Sequence, residues 1–205
     1  DDLTNGHVDI TASNLGPDGA KSLSATLTDA AGNTSLASAA LSVTLDTGAP
    51  GAPVIATIAN DSGIPGDRLT NDQTLVLSGS AEAGADVAIT RVGSGVIGTV
   101  RADAGGSWTL DYTATTLAEG DYAFTATATD AAGNISAASG AFTVTVDTTA
   151  PTAPSLDLQS DSGRNTSDDL TNVTTPVVRV AFTASQVSAG AVVTLLSGNS
   201  VVGTA

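Results

Sequence analysis

Apolar and polar residues alternate with period two along much of this 205-residue chain, above all between residues 53 and 146. Successive side chains of a strand point to opposite faces, so the alternation predicts half-buried β-strands. In "TLVLSGS" Leu75 and Leu77 share a face, and in "ADVAITRV" Val87 and Ile89 point inward while Asp86 and Arg91 point out. "SWTLDY" sets Trp108, Leu110 and Tyr112 against Thr109 and Asp111. "DYAFTATATD" alternates Tyr122, Phe124, Ala126 and Ala128 with threonines, and "AFTVTV" does the same with Phe142, Val144 and Val146. Adding "PVIATI" (53–58) and "GVIGTV" (95–100) brings the expected strands to seven in this stretch. No segment carries a helical period. Short strands with frequent turns predict an all-β fold, an antiparallel two-sheet β-sandwich.

The pattern also repeats. "DAAGN" stands at 29–33 and again at 130–134, "DTGAP" and "DTTAP" begin at Asp46 and Asp147, and "DSG" followed by "LTN" recurs at 61–71 and 161–172. "DAAGN", "DTGAP"/"DTTAP" and "LTN" each recur 101 residues on, and "DSG" 100 on; such a near-fixed spacing is the signature of a tandem array. Residues 46–146 form one complete unit. Residues 1–45 match only its back: "GHVDITASNLGPDGAKSLSATLTDAAGN" parallels "GSWTLDYTATTLAEGDYAFTATATDAAGN". Residues 147–205 match only its front: "VVTLLSGNSVVGTA" parallels "VAITRVGSGVIGTV". The expected organisation is a C-terminal half-domain, a complete domain of about seven strands and an N-terminal half-domain. Half-domains expose unpaired edges. Residues 147–205 of one molecule are therefore expected either to complement residues 1–45 of another, head to tail, or to stay unstable in isolation.

Composition narrows the partners. Only Glu82 and Glu119 of the 21 acidic residues are glutamate, Lys21 is the single lysine, and Gly (22) and Pro (7) are frequent, which disfavours long helices and favours turns. A net charge of −15 repels nucleic acid and anionic membranes, so neither is an expected partner, and inorganic cations are the natural counter-charge. There is no cysteine for a disulfide or thiol chemistry, and no apolar run long enough to span a bilayer. "DDLTNGHVDI" is no signal peptide, so a secretion address would lie outside this segment.

One turn is more specific. "LAEGDYAF" places Tyr122 at the start of the sixth strand after a Leu-x-x-Gly-x-Tyr turn, which resembles the tyrosine corner of immunoglobulin-like Greek-key domains. The matching stretch "LGPDGAKSL" has no tyrosine, so the device is not expected in every copy. Together with "DTTAPTAP", "GDRLTND", "LSGSAEAGADV", "VRADAGGSW" and "ATDAAGN", the chain resembles the tandem bacterial immunoglobulin-like repeats of giant RTX-type, biofilm-associated surface adhesins. The resemblance covers the whole chain. It implies type I secretion to the bacterial cell surface, a non-enzymatic extender role in adhesion or biofilm formation, and neighbouring repeats of the same polypeptide as partners. It also implies a distal ligand bound elsewhere in the parent protein, and calcium at domain junctions.

Aspartate in a loop ordinarily caps its own turn, and Asp103 and Asp121 are read that way. The other aspartates invite a sharper reading. In an immunoglobulin-like topology the loops "SAEAGAD" and "TDAAGN" share a pole with the linker "DTGAP", which would gather Asp46, Glu82 and Asp130 with Asn134 nearby. Two carboxylates about 4 Å apart repel by roughly 4 kcal/mol at an effective dielectric near 20, and no Lys or Arg is at hand. Calcium takes several carboxylate and carbonyl oxygens with flexible geometry, whereas one His and no Cys argue against zinc. At the opposite pole the loop 60–72 carries Asp61, Asp67 and Asp72, its repeat carries Asp161, Asp168 and Asp169, and Asp147 is expected close by as a second calcium site. Departures are visible: Gln186 stands where the complete unit has Glu82, and the first unit keeps Asp29 and Asn33 without a linker aspartate.

Other chemistry finds little support. His7 is expected on an outward face with no nucleophile beside it, Trp108 reads as core, and no glycine-rich phosphate loop precedes a helix. Two alternatives remain: an immunoglobulin-like module that grips a glycan or protein, for which the small acidic loops offer no aromatic cluster, and an accessory domain of a secreted polysaccharide-degrading enzyme.

Overall fold

The structure, a computed structural model, describes residues 6–162, 164–165, 167–187 and 190–205. The strands are β1 (Gly19–Leu23), β2 (Leu41–Leu45), β3 (Val54–Ile58), β4 (Leu69–Thr70), β5 (Val76–Ser80), β6 (Asp86–Arg91) and β7 (Gly95–Arg101). They continue with β8 (Ser107–Asp111), β9 (Gly120–Thr129), β10 (Phe142–Val146), β11 (Ser155–Leu158), β12 (Val178–Ala181), β13 (Thr194–Ser197) and β14 (Ser200–Thr204). A short 3-10 turn covers Ala184–Gln186. No helix among the described residues is long and apolar enough to cross a membrane.

The chain is all-β, and all seven expected strands between residues 53 and 146 form. With β4 they build a five-stranded sheet in the order β4-β10-β9-β6-β7 and a three-stranded sheet β3-β5-β8. The pairs of β6 with β7 and with β9 are antiparallel. The element that periodicity does not reveal is β4, two residues inside the "DSG…LTN" loop, which run parallel to the end of β10 with Leu69 opposite Thr145 and Thr70 opposite Val146. Two residues carry no alternation, so only the partner strand defines them.

The chain falls into two compact units, and β3, β5, β8, β9 and β10 run from one into the other. The first holds residues up to Ala56 with Leu77–Leu110 and Phe124–Phe142. Its core contains Leu77, Val87, Ile89, Trp108, Phe124 and Phe142, all buried. The second holds Thr57–Val76, Asp111–Ala123 and Thr143–Ala205. Its core contains Leu75, Leu117, Val144 and Val146 with one buried polar side chain, Thr70. The Thr70 hydroxyl donates to the Asn60 carbonyl at 2.8 Å and accepts the Asp72 N–H at 3.0 Å, which satisfies it.

Alternation decides burial wherever a neighbouring strand completes the ladder. Trp108 and Leu110 of β8 are buried and Thr109 is exposed between them. The same pattern in residues 7–11 forms no strand, and Val8 and Ile10 are exposed. Of that copy, β1 and β2 pair as an antiparallel hairpin from Gly19–Leu45 to Leu23–Leu41, and Thr28 and Thr34 form an isolated bridge. Downstream, β11 pairs β12 and β13 pairs β14. A strand without a partner leaves its backbone groups to water and gains little from its pattern.

The corner turn is present in both copies, by different chemistry. The Tyr122 hydroxyl donates to the Ala118 carbonyl at 2.9 Å. In the first copy Lys21 takes the tyrosine's place and its Nζ donates to the Pro17 carbonyl. The expectation that a copy without tyrosine lacks the tie is therefore corrected: the turn needs a long side chain ending in a donor, and lysine supplies one.

Trp108 lies where only glycine can face it. A Cβ on Gly79 would come within 1.9 Å of the Val54 carbonyl oxygen and 2.6 Å of the Trp108 ring. Gly79→Ala is expected to destabilise the fold by about 1–3 kcal/mol, the usual cost of overpacking. Denaturant unfolding followed by tryptophan fluorescence measures it, and an unchanged midpoint would contradict the packing described.

Candidate metal centres and linker contacts

Nearly every aspartate singled out above turns out to hold backbone N–H groups. In "DAAGN", Asp130 Oδ1 accepts the N–H of Ala132 at 2.9 Å and of Asn134 at 2.8 Å, while Oδ2 accepts Asn134 Nδ2 at 2.8 Å. Asp29 makes the same three bonds with Ala31 and Asn33. Hydrogen bonds to the ionised form favour it. The amide of Asn134 is the main cause that lowers the Asp130 carboxyl below its ordinary value, and Asn33 does the same for Asp29. Beyond each turn, serines continue the ladder. Ser136 Oγ accepts the Ala128 N–H and Ser139 Oγ the Ala126 N–H of β9, both at 2.9 Å. Ser35 and Ser38 do this for Leu27 and Ala25. Side-chain oxygens thus replace carbonyls along an irregular stretch that would otherwise leave strand donors unpaired.

The linker aspartates also make turns. Asp46 Oδ1 accepts the Gly48 N–H and Asp147 Oδ1 the Thr149 N–H, each at 3.0 Å. Two of the expected junction residues do meet through Asn134, whose Nδ2 reaches the Asp46 carbonyl at 3.2 Å as well as Asp130. Glu82 sits exposed in the β5–β6 turn, where its carbonyl accepts the Ala85 N–H. Among the described residues no three acidic or histidine side chains stand close enough together to hold a metal ion.

The "DSG…LTN" loops are built alike. Asp61 Oδ2 accepts the N–H of Gly66 at 2.7 Å and of Arg68 at 3.3 Å. Asp161 Oδ2 accepts those of Asp168 at 3.1 Å and Asp169 at 3.2 Å. Arg68 and Asp169 occupy equivalent left-handed positions, with φ of 65° and 59°. A non-glycine residue there is strained, and the aspartate braces it. Asp67 accepts the Leu69 N–H and Asp168 the Leu170 N–H. Asp72 is partly desolvated, which alone would raise its carboxyl, but bonds from Asn60 and Thr74 outweigh this and lower it. In both loops one oxygen remains: Asp61 Oδ1 and Asp161 Oδ1 are sealed from solvent with no hydrogen-bond partner among the described residues. Asp67 and Asp147 line one cleft of about 410 Å³ with Asn71 and Gln186.

Asp103 caps its turn as expected, accepting Gly105 and Ser107 N–H groups. Asp121 does not: its carboxylate accepts the Thr145 hydroxyl of β10 at 2.6 Å, because it belongs to β9 rather than to the turn before it. Asp18 and the linker threonines carry no sequence motif of their own, yet they meet in the fold. Asp18 accepts the Thr47 N–H at 3.1 Å and its hydroxyl at 3.0 Å. Glu119, 101 residues on, accepts the hydroxyls of Thr149 at 2.6 Å and Thr148 at 3.4 Å. Their common offset was the available signal.

Residues 50–148 match the family of bacterial Ig-like domains, and this segment is one of them. Among solved structures, a tetra-tandem repeat from the extending region of a large adhesion protein is 26% identical, with a TM-score of 0.38, over 70% of this chain and 35% of that one. A structure of a 1.5-MDa bacterial ice-binding adhesin is 20% identical, with a TM-score of 0.34, over 71% of this chain and 46% of that one. The chain thus spans less than half of either. No curated protein matches it.

The lowered carboxyls of Asp29, Asp72, Asp111 and Asp130 fix a sign. A folded-state value below the unfolded one adds stability above the ordinary aspartate range, and this is lost as pH falls through the folded value. Acid titration followed by Trp108 fluorescence is expected to show stability falling below that range, and Asn134→Ala to lower stability above the range and to shrink the fall below it. A fall of unchanged size would mean that the Asn134 amide does not hold Asp130.

Proposed function

We propose that this chain is a structural spacer within a bacterial cell-surface adhesin. In this reading it is a run of tandem immunoglobulin-like repeats that carries a distal ligand-binding region away from the cell in adhesion or biofilm formation. The carrying observation is that the aspartate turn, serine ladder, corner tie and acid-to-linker contact all recur at one spacing, as a rod built from one joint design requires. The family match of residues 50–148 supports the repeat unit. The reading gives the chain no catalytic role, takes its partners to be the adjoining repeats of the same polypeptide, and has it exported by type I secretion to the cell exterior. It predicts that lengthening the chain by whole 46–146 units adds a constant increment to the maximum dimension in small-angle scattering. Growth as a compact cluster would count against it.

Calcium is the cation this reading assigns. The fit rests on Asp61 Oδ1 and Asp161 Oδ1, buried lone pairs that no donor among the described residues satisfies. A hard cation binds such oxygens together with loop carbonyls, and Asp67, Asp72, Asp168 and Asp169 of the same loops would have to move towards it to join. Asp147 shares a cleft with Asp67 and could join from the linker side. At the other pole Asp46, Asp130 and Asn134 already accept or donate hydrogen bonds, so calcium there would compete with the turn. Bound calcium would neutralise the carboxylates and cross-brace the loop. Calorimetric melting is expected to shift upward with millimolar calcium relative to chelator, and Asp61→Asn with Asp161→Asn to shrink that shift. Equal melting in both conditions would leave these oxygens to water.

A further inference from the structure

The linkers are held by groups that need no metal. Thr47 follows β2 and is gripped from the preceding unit, where Asp18 accepts both its N–H at 3.1 Å and its hydroxyl at 3.0 Å. One residue earlier, the Asp46 carbonyl is held from the following unit by Asn134 Nδ2 at 3.2 Å. The second linker is built to the same plan. Glu119 stands at Asp18's position in the repeat and accepts the hydroxyl of Thr149 at 2.6 Å. On the far side Gln186 Oε1 accepts the Thr152 hydroxyl at 2.6 Å, with the Thr152 N–H at 3.4 Å. Each linker is therefore tied to an acid behind it and an amide ahead of it, with Asx turns at Asp46 and Asp147 between.

We propose that these contacts form a polar clamp that orients each linker in the absence of calcium, with Asp18 and Glu119 as its positioning residues. The proposal deepens the spacer reading and rests on it for its biological purpose. Hydrogen bonds to a carboxylate are about twice as strong as neutral ones. A charged acceptor that takes an N–H and a hydroxyl from one threonine fixes both its backbone and its rotamer. Longer Glu119 skips to the second threonine, so the clamp tolerates Asp or Glu by shifting one residue along "DTGAP" or "DTTAP". Because the acceptor is an oxygen rather than a net charge, asparagine can replace aspartate in part, which calcium ligation would tolerate poorly.

The test is amide hydrogen exchange and nitrogen-15 relaxation on the full chain in excess chelator. Thr47 N–H is expected to exchange about tenfold more slowly than an unprotected amide, as a charge-assisted bond implies. Asp18→Ala should abolish that protection, and Asp18→Asn should keep part of it, with the melting of residues 50–148 unchanged in both. Glu119→Ala should raise fast motion at Thr148 and Thr149. Random-coil exchange at Thr47 in the parent chain, or protection unaffected by Asp18→Ala, would overturn the clamp. Both outcomes are independent of whether the parent protein is an adhesin, which the scaling of length with repeat number tests separately.

Discussion

Backbone N–H groups at the ends and irregular edges of strands must find an acceptor, and this chain supplies one almost everywhere with a short side-chain oxygen. Asp130 takes the N–H groups of its own turn, Ser136 and Ser139 take those of β9, Asp61 takes those around left-handed Arg68, and Asp18 takes that of Thr47. Aspartate suits the task because its carboxylate accepts several donors and stands only one carbon from the main chain. Many of the aspartates behind the net charge of −15 serve in this way. The acids that the sequence offers as candidate metal ligands are mostly members of such turns as well.

The proposed cation has its strongest claim on an oxygen that meets no donor. A carboxylate whose lone pairs already meet N–H groups gains less from calcium than one with a buried oxygen that meets nothing. Asp61 and Asp161 are of the second kind and lie at equivalent places in two loops of like construction. The strain at Arg68 and Asp169 lies beside them, held by the other oxygen of the same side chains. Metal binding and backbone bracing would then share one residue, with one oxygen for each.

The repeat also shows what a module conserves of its physics when its residues change. Tyr122 and Lys21 close the same corner with different donors, and Glu119 and Asp18 reach the linker with different lengths. In each pair the direction of the hydrogen bond survives: a side-chain donor meets a turn carbonyl, or a carboxylate meets a linker threonine. Identity of residue type is a poor guide to such positions, and a shared offset from the anchors is a better one.

Period-two alternation determined the strands and their buried faces wherever a partner strand was available, because burial of one face is local information. The anchor strings determined the repeat spacing, and through it the equivalence of loops and linkers. Tertiary structure alone decided the rest. The parallel pairing of Leu69–Thr70 with β10, the transfer of Asp121 from turn to strand and the failure of residues 7–11 to form a strand all depend on what lies alongside. So does the fate of each aspartate, since a carboxylate's role follows from which donors surround it in space. Chain spacing could bring Asp46, Asp130 and Asn134 to one pole, but only the folded loop decided which oxygens the Asn134 amide meets.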